Sequence, residues 1–290
     1  MASMADIRRS ISSIESTGQI TKAMKMVSSS KLRRAQSAVI ASRPYSEKIR
    51  EVLGSLSGES SSNPLQEIRE VNKVLYIVVA ADSGLCGGFN ANINKLCERA
   101  IKADEHDCSV IAVGKRSRDY FKKRNYDVIS EYIEIGDTPG FAVGQRIAQE
   151  VIKRYIDGEY DEVHLVYSVF KSAIACLPSD VKILPIESVP EAEAEEKPAE
   201  EKTFPLSYTF EPDEEEILNV LLPAYVETQL YAAILESKAS EHGSRMTAMS
   251  AATDNAAELI QSLTLAMNRA RQAAITTEIN EIVGGAAALE

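Results

Sequence analysis

The sequence has 290 residues, 44% hydrophobic and 26% charged, with a formal net charge of −11; a sizeable core in one large domain or two modest ones is within its reach. The negative balance argues against general nucleic-acid binding. Cys86, Cys97, Cys108 and Cys176 show no CxxC spacing and no histidine at ligand spacing, which indicates neither a zinc site nor a disulfide framework and leaves reduced, structural thiols.

No run approaches the roughly 18 apolar residues of a membrane span. The N-terminal stretch MASMADIRRSISSIES carries Asp6, Arg8 and Arg9 with no apolar core behind them, unlike a signal or transit peptide. From about Asp6 to Leu56 the apolar residues recur three and four apart: Ile7, Ile11 and Ile14, then Ile20, Met24 and Val27, then Ile49, Leu53 and Leu56. That spacing predicts a long helix over 1–57, with Pro44 marking a kink or the joint between two helical pieces.

Between 73 and 186, strand-like segments rich in Val, Ile and Tyr (KVLYIVVA, CSVIAVG, DVISEYIEI, EVHLVYSVF, VKILPI) alternate with segments of helical spacing. This is the signature of an α/β domain around a mainly parallel sheet. The stretch AADSGLCGGFN, residues 80–90, falls between the first strand and the first helix, where such folds bind ligands. It lacks the Gly-Lys-Ser/Thr of a P-loop and the GxGxxG spacing that admits a pyrophosphate. Gly84, Gly87 and Gly88 therefore read as a structural turn, and no cofactor is expected.

An acidic block, ESVPEAEAEEKPAEEKTF at 187–204, has almost no large apolar residues and reads as a solvated linker or insertion. Asp213 and Glu216 then have the spacing of a capping box, with Glu214 to Glu216 at the positive end of a helix dipole. A last helix over 212–288 follows, whose thin apolar face, Leu230, Ile234, Met246, Met249, Leu259, Leu263, Met267 and Ile275, is separated by Ala, Ser and Thr. Small residues permit close approach of another helix, and the two ends differ in charge: residues 1–57 hold ten Lys/Arg against four Asp/Glu, residues 213–290 four against twelve. Pairing of the two ends as an antiparallel coiled coil projecting from the α/β domain is the expectation; a folded-back helical bundle is the alternative, and the segment offers few turns for one. His106, His164 and His242 are far apart in sequence, and no Ser/His/Asp or paired-carboxylate motif stands out, so neither a catalytic nor a metal site is expected.

IRRSISSIESTGQITKAMKMVSSSKLRRAQ, DSGLCGGFN, ESKASEHGSRMTAMSAATDNA and NRARQAAITTEINEIVGGAAAL occur in the order seen in the gamma subunit of F-type ATP synthases, and the chain resembles that family over nearly its whole length. The resemblance implies a Rossmann-like domain between the two long helices. It implies a non-catalytic rotor shaft that couples ion flow through the membrane ring to ATP synthesis or hydrolysis in the beta subunits by rotation of an asymmetric coiled coil. The implied partners are the alpha and beta subunits of the catalytic hexamer, the epsilon subunit and the membrane ring of c subunits. Nucleic acid is not among them, the membrane is met only through the complex, and the expected location is the cytoplasmic face of a bacterial plasma membrane, with an organelle inner membrane or thylakoid as the alternative. By motif match, Met24, Lys25, Arg33, Arg34 and Arg245 resemble family positions near the beta subunits, and Gln272, Thr276 and Glu278 those facing the beta catch loop. Met24 equally suits coiled-coil packing, and Arg33 and Arg34 equally suit a solvated face.

Overall fold

The computed structural model describes residues 4–56, 63–173, 175–186 and 214–287. The acidic block at 187–204 and the capping residue Asp213 lie outside the described residues. Two long helices, α1 (Met4–Leu56) and α5 (Glu214–Ala287), flank β1 (Lys73–Val79), α2 (Phe89–Ala103), β2 (Asp107–Val113), α3 (Lys115–Lys122), β3 (Asp127–Tyr132), α4 (Phe141–Ile156), β4 (Glu162–Phe170) and β5 (Cys176–Leu184). The chain divides into two compact units, Met1–Ser28 with Arg245–Glu290, and Ser29–Ser244.

The Ser29–Ser244 unit is built on a five-stranded sheet of order β3-β2-β1-β4-β5. β1 pairs in parallel with β2 and β4, β2 with β3 in parallel, and β5 closes the edge antiparallel to β4. Val74 to Val79 are all buried, as a central strand covered on both faces requires. Alternate residues serve opposite layers. Leu75, Ile77, Ile111 and Leu165 pack with Ile147, Val151 and Tyr155 of α4, Leu222, Leu230 and Ile234 of α5, and Leu53 of α1. Val74, Tyr76, Val78, Val110 and Val166 meet Phe89, Ile93 and Cys97 of α2 and Phe121 of α3. Full burial of each such Leu or Ile contributes roughly 1.5–3 kcal/mol. At Gly144, α4 approaches α5 so closely that an added Cβ would lie 2.8 Å from Tyr231 Cβ.

The Met1–Ser28 and Arg245–Glu290 unit is a pair of antiparallel helical segments. Thr21 Oγ1 meets Thr253 Oγ1 at 2.8 Å, and Lys25 Nζ donates to Ser250 Oγ at 2.9 Å. A Cβ on Gly18 would lie 3.5 Å from Ala256 Cβ, so the partners run 18 with 256, 21 with 253 and 25 with 250. The predicted seam is corrected in its middle. Ile20 and Val27 are exposed, and the inward positions are Gly18, Thr21 and Ser28. Leu259 and Ile275 are likewise exposed, while Met249 and Ala256 are buried. Short side chains let the two backbones approach, which larger residues at those positions would prevent.

Pro44 does not separate two helices, since α1 continues through it. The proline removes one helical hydrogen bond, the one to the Ile40 carbonyl, and the helix runs on through that single loss. α5 likewise continues through Pro223. By length and composition alone α5 carries one window apolar enough to cross a membrane, with mean hydropathy 1.3 and 39% of it buried in the protein.

Candidate functional site

The loop after β1 sits at the carboxyl end of the central strand, where the strand order reverses between β2 and β4. A nucleotide-binding turn would offer free backbone N–H groups there to phosphate. Here Asp82 takes that place: its Oδ1 accepts from the N–H of Lys115, the first residue of α3, at 3.0 Å, and from the N–H of Glu134 at 3.2 Å. The carboxylate is the chain's own anion at the positive end of a helix dipole. Asn90 Oδ1 accepts from Ala81 N–H at 2.9 Å, and its Nδ2 donates to Ser83 O at 3.2 Å. Ala80 N–H donates to Val113 O at 2.9 Å and Arg116 N–H to Ala81 O at 3.0 Å, so the strand ends are stitched to one another.

The three glycines of the loop differ in their reasons. Gly87 alone of them has a positive φ, +58°, beside Leu85 at +59°. A Cβ on Gly84 would come 3.1 Å from the Arg116 guanidinium, and one on Gly88 3.2 Å from the Asn92 amide, both movable side chains. The most constrained glycine of the region, Gly114, went unremarked in the sequence because it stands alone: its φ is +95°, and a Cβ there would fall 2.2 Å from Ala80 O.

The predicted partner-contact residues do not form one cluster. Met24 is half-buried in the helix pair, and Lys25 is exposed with its ammonium on Ser250. Arg33 and Arg34 are exposed on the part of α1 that belongs to the other unit. Gln272, Thr276 and Glu278 are exposed on α5, where Thr276 Oγ1 donates to Gln272 O at 2.9 Å. Arg245 differs from all of these, with 8% of its surface exposed.

Sequence reading missed a polar cluster along α5 in the Ser29–Ser244 unit. Lys238 and Glu241 form a buried ion pair at 3.2 Å. Asp137, in the loop before α4, binds Lys31 Nζ of α1 at 2.8 Å and lies 3.5 Å from His242 Nε2 of α5. Burial pushes the Asp137 carboxyl up, but the Lys31 hydrogen bond and charge, with His242 and Lys238 behind them, hold it below the usual carboxylate range. Lys31, Asp137 and His242 are each separated from the next by about a hundred positions in sequence, so spacing carries no sign of their meeting. Among the described residues, no group of three or more His, Cys, Asp or Glu side chains could hold a metal ion.

The described residues thus comprise an α/β domain, in which Asp82 caps the start of α3, and a unit of antiparallel terminal helical segments. Residues 3–289 match the ATP synthase family model. The chain is 52% identical to the ATP synthase gamma chain of Desulforamulus reducens and 50% identical to that of Desulfitobacterium hafniense, each over 100% of both chains. A chain of the Tetrahymena thermophila mitochondrial ATP synthase central stalk and c-ring structure superposes with a TM-score of 0.64 at 26% identity, covering 80% of this chain and 99% of that one. A chain of the Euglena gracilis mitochondrial ATP synthase reaches a TM-score of 0.70 at 18% identity over 99% and 94%, a likeness of fold. The chain belongs to the ATP synthase gamma-chain family, and it is a non-catalytic subunit.

Proposed function

We propose that the chain is the central-stalk rotor subunit of an F-type ATP synthase, coupling ion flow through the membrane ring to ATP synthesis or hydrolysis in the beta subunits. The observation that carries this reading is the asymmetry of the helix pair. One face of each segment is closed by its partner at Gly18, Thr21 and Ser28 or at Met249 and Ala256. The remaining faces differ in chemistry: Lys22 and Lys25 stand exposed on α1, while Leu259 and Leu265 stand exposed on α5. Three beta subunits around such a pair meet three unlike surfaces, and each surface biases its nucleotide site differently.

In this reading Met24, Lys25, Arg33, Arg34 and Arg245 act toward the beta subunits, Gln272, Thr276 and Glu278 toward the beta catch loop, and Gly84, Gly87 and Gly88 as a turn. Residues 1–57 and 212–288 supply the shaft, 73–186 the α/β domain and 187–204 an insertion. The complex is membrane-associated, with this chain at the cytoplasmic face of a bacterial plasma membrane. The test is purification of the tagged chain from its native membrane. Alpha, beta, epsilon and c subunits are expected to accompany it, and its depletion is expected to leave ATP hydrolysis that no longer drives ion transport. Purification without those subunits, or transport that survives depletion, would refute the assignment.

A further inference from the structure

β4 outruns its parallel neighbour. The register between β1 and β4 ends at Val78 with Val166, whereas β4 continues to Phe170. Beyond that point β5 covers one edge of β4, with Ser168 opposite Pro178. Pro178 has no N–H, which is tolerated on an edge strand. On the other edge of β4 the backbone groups of Ser168 and Phe170 have no strand to meet, and backbone donors and acceptors at a buried position require partners.

α5 supplies them with side chains. Ser237 Oγ accepts from Ser168 N–H at 3.2 Å, Ser240 Oγ donates to Ser168 O at 3.2 Å, and Glu236 Oε2 accepts from Phe170 N–H at 3.3 Å. Ser237 and Ser240 are 2% and 0% exposed. Positions 236, 237 and 240 share one helix face, and one turn further on that face Gly243 lets the Ala173 carbonyl within 3.2 Å of where a Cβ would be. A helix side thus completes a strand ladder. Hydrogen bonds are directional. A roll of about 20° moves a group about 5 Å from the helix axis by about 1.7 Å, which takes a hydroxyl contact outside hydrogen-bonding range.

We propose that Glu236, Ser237 and Ser240 are positioning residues that lock the rotation of α5 about its own axis against the sheet, so that torque passes between the helix and the α/β domain. This rests on the rotor reading above. The experiment uses the complete membrane-bound complex carrying Ser237→Ala/Ser240→Ala, Glu236→Ala or Glu236→Gln in this chain. Hydrogen exchange at the Ser168 and Phe170 amides and the ratio of ATP-driven ion transport to ATP hydrolysis are measured on complexes of equal subunit content. We expect exchange at Ser168 to rise about fivefold in the double serine variant, the loss of one ordinary hydrogen bond. Transport per ATP hydrolysed is expected to fall in the alanine variants and to be rescued in Glu236→Gln, which keeps the accepting oxygen. Glu236→Ala leaves both serines in place and serves if the double variant assembles poorly. Faster exchange with an undiminished transport ratio would overturn the lock, as would unchanged exchange. Absence of coupling in the unsubstituted complex would instead remove the rotor reading itself.

Discussion

Gly114→Ala tests whether the closed strand ends are rigid. The new Cβ would stand 2.2 Å from Ala80 O and 2.8 Å from Ala80 C, and Gly114 has a φ of +95°. Ala80 cannot withdraw freely, because its N–H is bonded to Val113 O at 2.9 Å, and Gly114 N–H is itself bonded to Tyr132 O at 2.7 Å. The backbone conformation costs about 1–3 kcal/mol for a residue with a side chain, and the overlap adds about 1–3 kcal/mol of overpacking. Gly136→Ala is the control: φ is +79°, and nothing lies within 4 Å of the added Cβ, so only the conformational cost remains. For that control we expect about 1–2 kcal/mol, and for Gly114→Ala about 4 kcal/mol. The assay is urea unfolding followed by tyrosine near-UV circular dichroism. The chain has no Trp, and all of its 11 Tyr lie between residues 29 and 244, so the signal reports on one unit alone. Equal losses in the two variants would show that a small backbone shift relieves the overlap, and the picture of a rigid closed crevice would fail.

Four further outcomes follow from the same geometry. Asp82→Ala orphans the N–H groups of Lys115 and Glu134; we expect a loss of about 1–3 kcal/mol, while calorimetric titration with ATP shows no binding by either the variant or its parent. Arg245→Glu places a carboxylate where the residue is 8% exposed, so we expect destabilisation of the isolated chain by roughly 1–3 kcal/mol; an unchanged melting curve would show that the site admits the reversed charge. Substitution of the exposed Gln272, Thr276 or Glu278 by Ala is expected to alter chain stability by less than about 0.5 kcal/mol while lowering coupled ATP turnover in the complex; unaltered turnover in all three would refute their assigned role. His164 is pulled down by burial, but its hydrogen bond and attraction to Asp180, with Glu162 adding to them, carry it above the usual imidazole value. Its contribution is present in full below about pH 6.5 and is lost as pH rises through the higher folded value; we expect His164→Gln to flatten the fall in stability that begins above about pH 6.5, and a parallel curve would refute the pairing.

The sheet was legible because a parallel strand buried on both faces is a near-continuous run of Val, Ile and Leu, as in KVLYIVV. Pairing of the terminal helices was legible in the spacing of Ile7, Ile11 and Ile14. Beyond Ile14 the choice of Ile20 and Val27 failed, because apolar size was followed where proximity selects small residues: Gly18 faces Ala256 and Thr21 faces Thr253. The joint at Pro44 failed because a long helix absorbs one missing donor. Of the contact residues, the exposure of Gln272, Thr276 and Glu278 accords with a surface role, whereas the burial of Arg245 depends on three-dimensional packing that no local pattern announces. The bonds from Glu236, Ser237 and Ser240 to β4 were hidden because serine in an Ala-rich helix reads as a neutral spacer.

α5 changes its repeat where it changes its partner. Leu218, Leu222, Val226, Leu230 and Ile234 are spaced by four and are buried in the core of the sheet unit. Four residues turn a helix through about 400°, so that stripe drifts by about 40° at each step, which suits a helix whose core neighbours include the sheet, α4 and α1. Met249, Thr253, Ala256, Ile260, Leu263 and Met267 instead alternate steps of four and three, and all are buried or half-buried. On α1 the matching set is Ile7, Ile11, Ile14, Gly18, Thr21 and Ser28, in which Lys25 keeps the phase through its bond to Ser250. A seven-residue repeat drifts by only about 20° per heptad, so a single straight seam can be held.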